Sequence, residues 1–326
     1  MPPPWSRRTF LAMTAGLALT AVACGSDKPG TVAGDGSVTV THAFGETKIP
    51  SAPKRVVSAG LTEQDDLLAL GVVPIAVTDW FGGEPFGTWP WALPKLGTAQ
   101  PVVLNLVDGI SVDQIAALKP DLIVATNAGL DADTYAKLSA IAPTIAQSGQ
   151  HAFFEPWKDQ ASAIGQAVFK FDEMTKLVEA VDAEFTEIGK NNSTFTGKKV
   201  VVVSATAFQD QYDVTPPGWR TEFLTQMGFA VPDEVNAFVK NDRAQVPRDK
   251  LASVLDAADV VVWKTESDDE QAALVADPMF SALKSTTSKR NVFTGKELAG
   301  ALAFSSVLSY PVVADRLPPM ISKVLT

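Results

Sequence analysis

Short apolar, β-branched runs alternate along this chain with amphipathic stretches of helical period, and the alternation occurs twice in the same order. Strand-sized runs separated by helices build parallel sheets with helices on their faces, so the fold class is α/β. In the first round Arg55 to Gly60 reads as a strand, Leu61 to Glu63 as a short loop, and Gln64 to Leu70 as a helix that Gly71 can cap. A further strand, Ile75 to Thr78, follows. In the second round a strand begins at Lys199 and a longer loop covers Phe208 to Trp219. A helix from Arg220 to Met227 then ends at Gly228, before Phe229 to Pro232. A second pair of segments repeats as well: Asp113 to Ala125 and Asp249 to Trp263 both read helix, turn, buried strand. Two echoes in one order point to two related lobes. Between them, Met174, Leu177, Val178, Val181, Phe185 and Ile188 recur at spacings of three and four, the longest helical pattern in the chain. It predicts one helix over 171–192, joining an N-terminal lobe (37–170) to a C-terminal lobe (193–326). Val38 to His42 and Thr47 to Ile49 suggest a small hairpin at the start of the first lobe.

The N-terminus reads as an export signal over 1–24. Arg7 and Arg8 precede an acid-free run from Phe10 to Ala23 that is short for a membrane span, and the only cysteine, Cys24, follows. Ser6 to Leu11 resembles a twin-arginine signal, with Ala12 where a Lys is usual, so both twin-arginine and general secretory export stay open. Ala21-Val22-Ala23-Cys24-Gly25 is similar to a lipobox, with Ala21 where a Leu is usual, and it marks Cys24 for lipidation. The Gly-, Ser-, Asp- and Pro-containing stretch 25–36 reads as a flexible tether. With Cys24 committed to the anchor no thiol remains for a disulfide, a thiolate metal site or a nucleophile. The formal net charge of −10 becomes two units more negative once Arg7 and Arg8 leave with the signal, which argues against nucleic acid as a partner.

Four stretches resemble successive signatures of one family. They are Pro53 to Val57, Leu67 to Val72, Ile115 to Val124 and Leu138 to Thr144, with Asn291-Val292-Phe293 near the end. They are similar to the periplasmic binding proteins for ferric siderophores, ferric citrate, heme and cobalamin, and within these to the ferric-citrate and siderophore lipoproteins of actinobacteria. The resemblance implies two Rossmann-like lobes with mainly parallel sheets joined by one long α-helix, with a ligand cleft between the lobes. It further implies a monomer, held by its lipid anchor on the outer face of the cytoplasmic membrane, that carries no cofactor of its own and delivers an iron chelate to an ABC permease. Asp113 and Asp249 match family positions where an acid on each lobe meets an Arg of the permease. An acid at a helix N-terminus is also stabilising in itself.

Ligands of open α/β sheets lie beyond the carboxyl ends of the strands. The candidates in the first lobe are therefore Thr62, Glu63, Asn127 and the loop 79–91, which packs Trp80, Phe81, Phe86, Trp89 and Trp91 into a Gly- and Pro-rich run. A fully buried aromatic contributes roughly 1.5–3 kcal/mol, so several converging on a flat or greasy ligand would bind it usefully. Phe153 is a further candidate, whereas Phe154 and Trp157 read as core. In the second lobe Gln209, Tyr212, Trp219 and Arg220 lie on the long loop, Arg243 on the next loop, and Trp263 and Lys264 at the end of a strand, with Phe304 near the C-terminus. Arg220 and Arg243 are the best anchors for an anionic ferric chelate, because a guanidinium gives forked, permanently charged hydrogen bonds.

An enzyme would need a constellation that this chain lacks. Its two histidines, His42 and His151, read as surface or loop residues, and no G-x-G-x-x-G, P-loop or H-E-x-x-H pattern occurs. A ferric siderophore is the leading ligand. Heme is the alternative, with Tyr212 as axial ligand. Cobalamin, or a purely structural surface lipoprotein, comes after.

Overall fold

The computed structural model describes residues 29–149 and 151–326. The segment expected to be an export signal, Cys24, and the first part of the expected tether lie outside the described residues.

The chain opens with an antiparallel hairpin, β1 (Val38–His42) and β2 (Gly45–Ile49), paired from Val38↔Ile49 to His42↔Gly45. Five strands follow: β3 (Val56–Ser58), β4 (Ala76–Thr78), β5 (Val102–Leu104), β6 (Leu122–Ala125) and β7 (Thr144–Ala146). They form one parallel sheet in the order β5-β4-β3-β6-β7. Every residue of β3, β4, β6 and β7 is buried, as expected for strands covered on both faces. The register is parallel because each return passes through a helix, such as Glu63–Ala69 between β3 and β4.

The helix Phe171–Asn191 then leads to the second sheet, made of β8 (Val200–Ser204), β9 (Gln211–Val214), β10 (Val239–Lys240), β11 (Arg243–Pro247), β12 (Val260–Lys264) and β13 (Asn291–Phe293). Its order is β10-β11-β9-β8-β12-β13. The strands β8, β12 and β13 are parallel, but β9, β11 and β10 run antiparallel, so this sheet is mixed where a mainly parallel one was expected. The Phe229 to Pro232 run contributes only a bridge, Ala230 to Lys199, while β9 takes the rest of that edge of β8. The long loop after β8 is thus partly sheet. Gln209 and Asp210, with φ of 51° and 61°, turn the chain between Phe208 and Gln211, and Asn241 and Asp242 (49° and 57°) do the same between β10 and β11. Two left-handed residues in a row are the geometry of a tight two-residue hairpin, which Asn and Asp tolerate best.

The helix Phe171–Asn191 buries Met174, Val181 and Phe185 on the face that the spacing marked. One apolar cluster runs from Val56, Leu122 and Ile145 of the first sheet through Trp157, Met174, Phe185 and Tyr310 to Val200, Val202 and Val260 of the second. The lobes therefore share hydrocarbon along this helix. Each sheet also has its own cluster on its other face. His42 departs from the surface position expected of it: it is buried in the hairpin, its Nε2 lies 2.9 Å from Thr47 Oγ1, and desolvation lowers its pKa.

Candidate functional site

Between the sheets lies a cavity of about 340 Å³. The loop after β4 supplies Trp80 and Phe81, the loop after β7 supplies Phe154, and the second lobe supplies the polar side: Asp213, Arg220, Asp242, Arg243, Lys264 and Glu266. Leu302, Ala303 and Ser305 of the segment after β13 close it. The wall from the first lobe is aromatic. Trp80 sits edge-on to Phe81 at 4.5 Å, 5.0 Å from Phe154 and 5.8 Å from Phe304.

The opposite wall is ionic. The Arg220 guanidinium lies 4.2 Å from the Trp219 ring and 5.6 Å from that of Phe154, and its Nη2 donates to the Phe154 carbonyl at 3.1 Å. Its Nε is buried without a partner. Two rings thus fix the plane of the guanidinium and leave donors unspent. Burial lowers the pKa of Arg220, and burial also lowers that of Lys264, where Arg220 and Arg243 add repulsion that Asp213 and Glu266 oppose. Lys264 forms no ion pair among the described residues, and Arg243 reaches Asp213 only at 3.9 Å. Asp242 is engaged by His151 at 3.0 Å, and Glu266 has its pKa raised by burial and by Glu270. An anionic guest would relieve Arg220 and Lys264, two desolvated cations that the nearby carboxylates of Asp213, Asp242 and Glu266 offset only in part.

Of the residues singled out by sequence, the cavity gathers Trp80, Phe81, Arg220, Arg243 and Lys264. A small polar pocket beside it gathers Thr62, Asn127, Trp219 and Phe304, again with Arg220. The others lie elsewhere. Trp263 and Tyr212 are in the core of the second lobe, with Trp263 Nε1 donating to Asn291 and Tyr212 beside Arg248. Side chains alternate along a strand, so the neighbours Lys264 and Asp213 face the cavity and these two cannot. The heme alternative loses its axial ligand, because Tyr212 is buried away from the cavity and desolvation raises its pKa. Trp89 is 1% exposed: it stacks on Trp91 at 4.9 Å and fills the space over Gly300 of the other lobe, where an added Cβ would come within 2.4 Å of its ring. Trp91 donates to Asp65 at 2.8 Å, and Phe86 packs with Leu68 and Leu96. Glu63 is fully buried beneath the sheet ends, where its Oε1 accepts from the Asn127 N–H at 2.8 Å, and desolvation raises its pKa to about 7. Phe153 projects outward, 44% exposed, with its ring over Gly129. Gln209 occupies the exposed β9 turn.

Sequence reasoning missed Phe154 as a cavity residue, and also Asp213 and Asp242. The alternation Gln-Tyr-Asp-Val and the Asn-Asp pair before Arg243 were the available signals for the strands that carry them. Asp113 and Asp249 are both exposed in the first turns of Val112–Ala117 and Arg248–Leu255, and Asp249 lies 3.5 Å from Lys250.

Two α/β lobes facing each other across a preformed cavity, with an aromatic wall on one side and a wall of cations and carboxylates on the other, define a solute-binding protein. The chain belongs to the periplasmic binding protein family, which it matches over residues 56–298. It is a binding protein and not an enzyme, and no helix among the described residues is long and apolar enough to cross a membrane. It is similar to Bacillus subtilis (strain 168) YfiY, a probable siderophore-binding lipoprotein, at 30% identity over 233 residues, which covers 70% of this chain and 68% of the relative. The crystal structure of a periplasmic solute binding protein from Mycobacterium smegmatis str. MC2 155 superposes with a TM-score of 0.85 at 64% identity, covering 90% of this chain and all of that one (100%). The iron uptake ABC transporter substrate-binding protein PiaA from Streptococcus pneumoniae TIGR4, at 21% identity, shares the fold with a TM-score of 0.72 over 88% of this chain and 99% of its own.

Proposed function

We propose that this protein captures an anionic ferric chelate, a siderophore or carboxylate complex, in the interlobe cavity and hands it to an ABC permease. In this reading Cys24 carries the lipid anchor, and Asp113 and Asp249 dock the permease. One observation carries the choice of ligand: Arg220, clamped between Trp219 and Phe154 with its Nε unpartnered, stands beside Lys264, a desolvated ammonium that makes no ion pair among the described residues and is only partly offset by Asp213 and Glu266. Both face the apolar surface of Trp80 and Phe81. A ferric chelate has both halves of the complementary surface, carboxylate or hydroxamate oxygens around the metal and hydrocarbon outside. The siderophore-binding name of the Bacillus relative agrees with it.

The test is tryptophan-fluorescence quenching with ferric siderophores, ferric citrate, hemin and cobalamin. Because Trp80 lines the cavity, saturable quenching by the ferric chelates should shrink in Trp80→Phe. Saturation by hemin or cobalamin alone would overturn the proposal.

A further inference from the structure

The segment that closes the cavity, Leu302 to Ser305, belongs to the second lobe, yet it is held by a carboxylate of the first. Asp65 lies on the helix Glu63–Ala69, is fully buried, and accepts through one oxygen, Oδ2, from two donors: Ser306 Oγ at 2.6 Å and Trp91 Nε1 at 2.8 Å. Each donor leads to a different side of the cavity. Ser306 organises the turn after Phe304. Its Oγ accepts from the N–H groups of Ser309 at 2.9 Å and Leu308 at 3.2 Å, and its own N–H donates to Ser309 Oγ at 2.9 Å. The residue before it, Ser305, is held in the left-handed region at φ 50° and lines the cavity. Trp91 stacks on Trp89 with planes 10° apart, Trp89 meets Phe81 at 5.2 Å, and Phe81 meets Trp80. Phe304 packs between the two paths, 5.7 Å from Trp91 and 5.9 Å from Trp89.

We infer that Asp65 is a positioning residue for ligand binding: by joining Ser306 to Trp91 it sets the distance between the Leu302–Ser305 closure of the second lobe and the aromatic wall of the first. This rests on the reading of the cavity as the ligand site. A carboxylate costs a great deal to bury, and the Ser306 hydroxyl and the Trp91 indole each have a single proton to donate, so one charged acceptor shared by these two neutral donors is a strong and directional junction. Leucine at this position would fill the volume and leave both donors unpaired. Asparagine keeps the acceptor and loses the charge.

The experiment combines Asp65→Leu, Asp65→Asn and Ser306→Ala, with ferric citrate as the probe for quenching titrations and near-ultraviolet circular dichroism without ligand as a direct reading of the Trp89–Trp91 stack. Asp65→Leu and Ser306→Ala should weaken ferric citrate by about tenfold, the scale of one hydrogen bond to a charged group, while Asp65→Asn stays within about threefold of wild type. The tryptophan dichroism should change in Asp65→Leu and survive in Asp65→Asn. If Asp65→Leu does not fold, Ser306→Ala, which removes one hydroxyl, carries the test. Wild-type affinity and dichroism in both disruptive variants, or an asparagine variant as impaired as the leucine one, would overturn the inference. Failure of wild type to bind any ferric chelate would instead overturn the reading of the cavity, while the dichroism would still report on the junction.

Discussion

Replacing Asp66 by asparagine should flatten the pH dependence of stability. Asp66 is buried on the same helical turn as Glu63 and Asp65. Its Oδ2 accepts from Gln160 Nε2 at 2.9 Å, and its Oδ1 has no partner. Desolvation first, then repulsion from Asp65 and Glu63, pushes its pKa up to about 8. A carboxyl whose folded pKa lies above its unfolded value keeps a proton that the unfolded chain has released. Its contribution to stability is therefore complete in acid and lost as pH rises through the folded value. At about 1.4 kcal/mol per pH unit, the wild type should lose about 4 kcal/mol through this group between about pH 5 and 8. For a chain of this size that is about 8 °C in Tm, taking about 2 °C per kcal/mol. The asparagine side chain can still accept from Gln160, and its buried amide adds a penalty of about 1–3 kcal/mol that does not vary with pH. The assay is thermal unfolding of wild type and Asp66→Asn across this range, reading the difference in slope rather than in absolute Tm. Parallel Tm curves would show that Asp66 is ionised in the folded protein and would refute the argument.

Two further outcomes concern the site and the docking acids. Arg220→Ala should weaken ferric citrate binding by about 10- to 100-fold in a quenching titration, with Arg220→Lys intermediate because an ammonium lacks the planar fork held between Trp219 and Phe154; an unchanged affinity would remove the cationic corner from the site. Reversing Asp113 and Asp249 together to lysine should abolish iron uptake in cells while affinity of the purified protein stays within about twofold, since each acid is exposed and any loss of charge pairing there is worth little to the fold; lost binding in vitro would refute the docking role.

The architecture was legible because it rests on patterns that burial enforces. Val-rich strands, helices ending at Gly71 and Gly228, and the stripe from Met174 to Ile188 each have one low-energy way to pack. The antiparallel strands β9 and β11 were not legible, since their outward residues, Gln211, Asp213, Arg243 and Gln245, carry enough polarity to pass for loop. At the site, the sequence gathered the right loops but not the directions of side chains within them. Trp263 beside Lys264 and Tyr212 beside Asp213 look equally suited to a ligand until the strand alternation sends one of each pair into the core. The burial of the acids of the helix Glu63–Ala69 was not legible for a different reason. Carboxylates at a helix start are ordinarily solvated and favourable to the dipole, and only tertiary packing buries three of them together.

The apolar cluster that runs along the helix Phe171–Asn191 into both sheets has a mechanical consequence. No plane separates the halves without cutting hydrocarbon, so a wide swing that wetted even about 400 Å² of it would cost about 10 kcal/mol. If the cavity holds the ligand as proposed, exchange is expected to use small displacements of its rim rather than a wide swing of one lobe against the other.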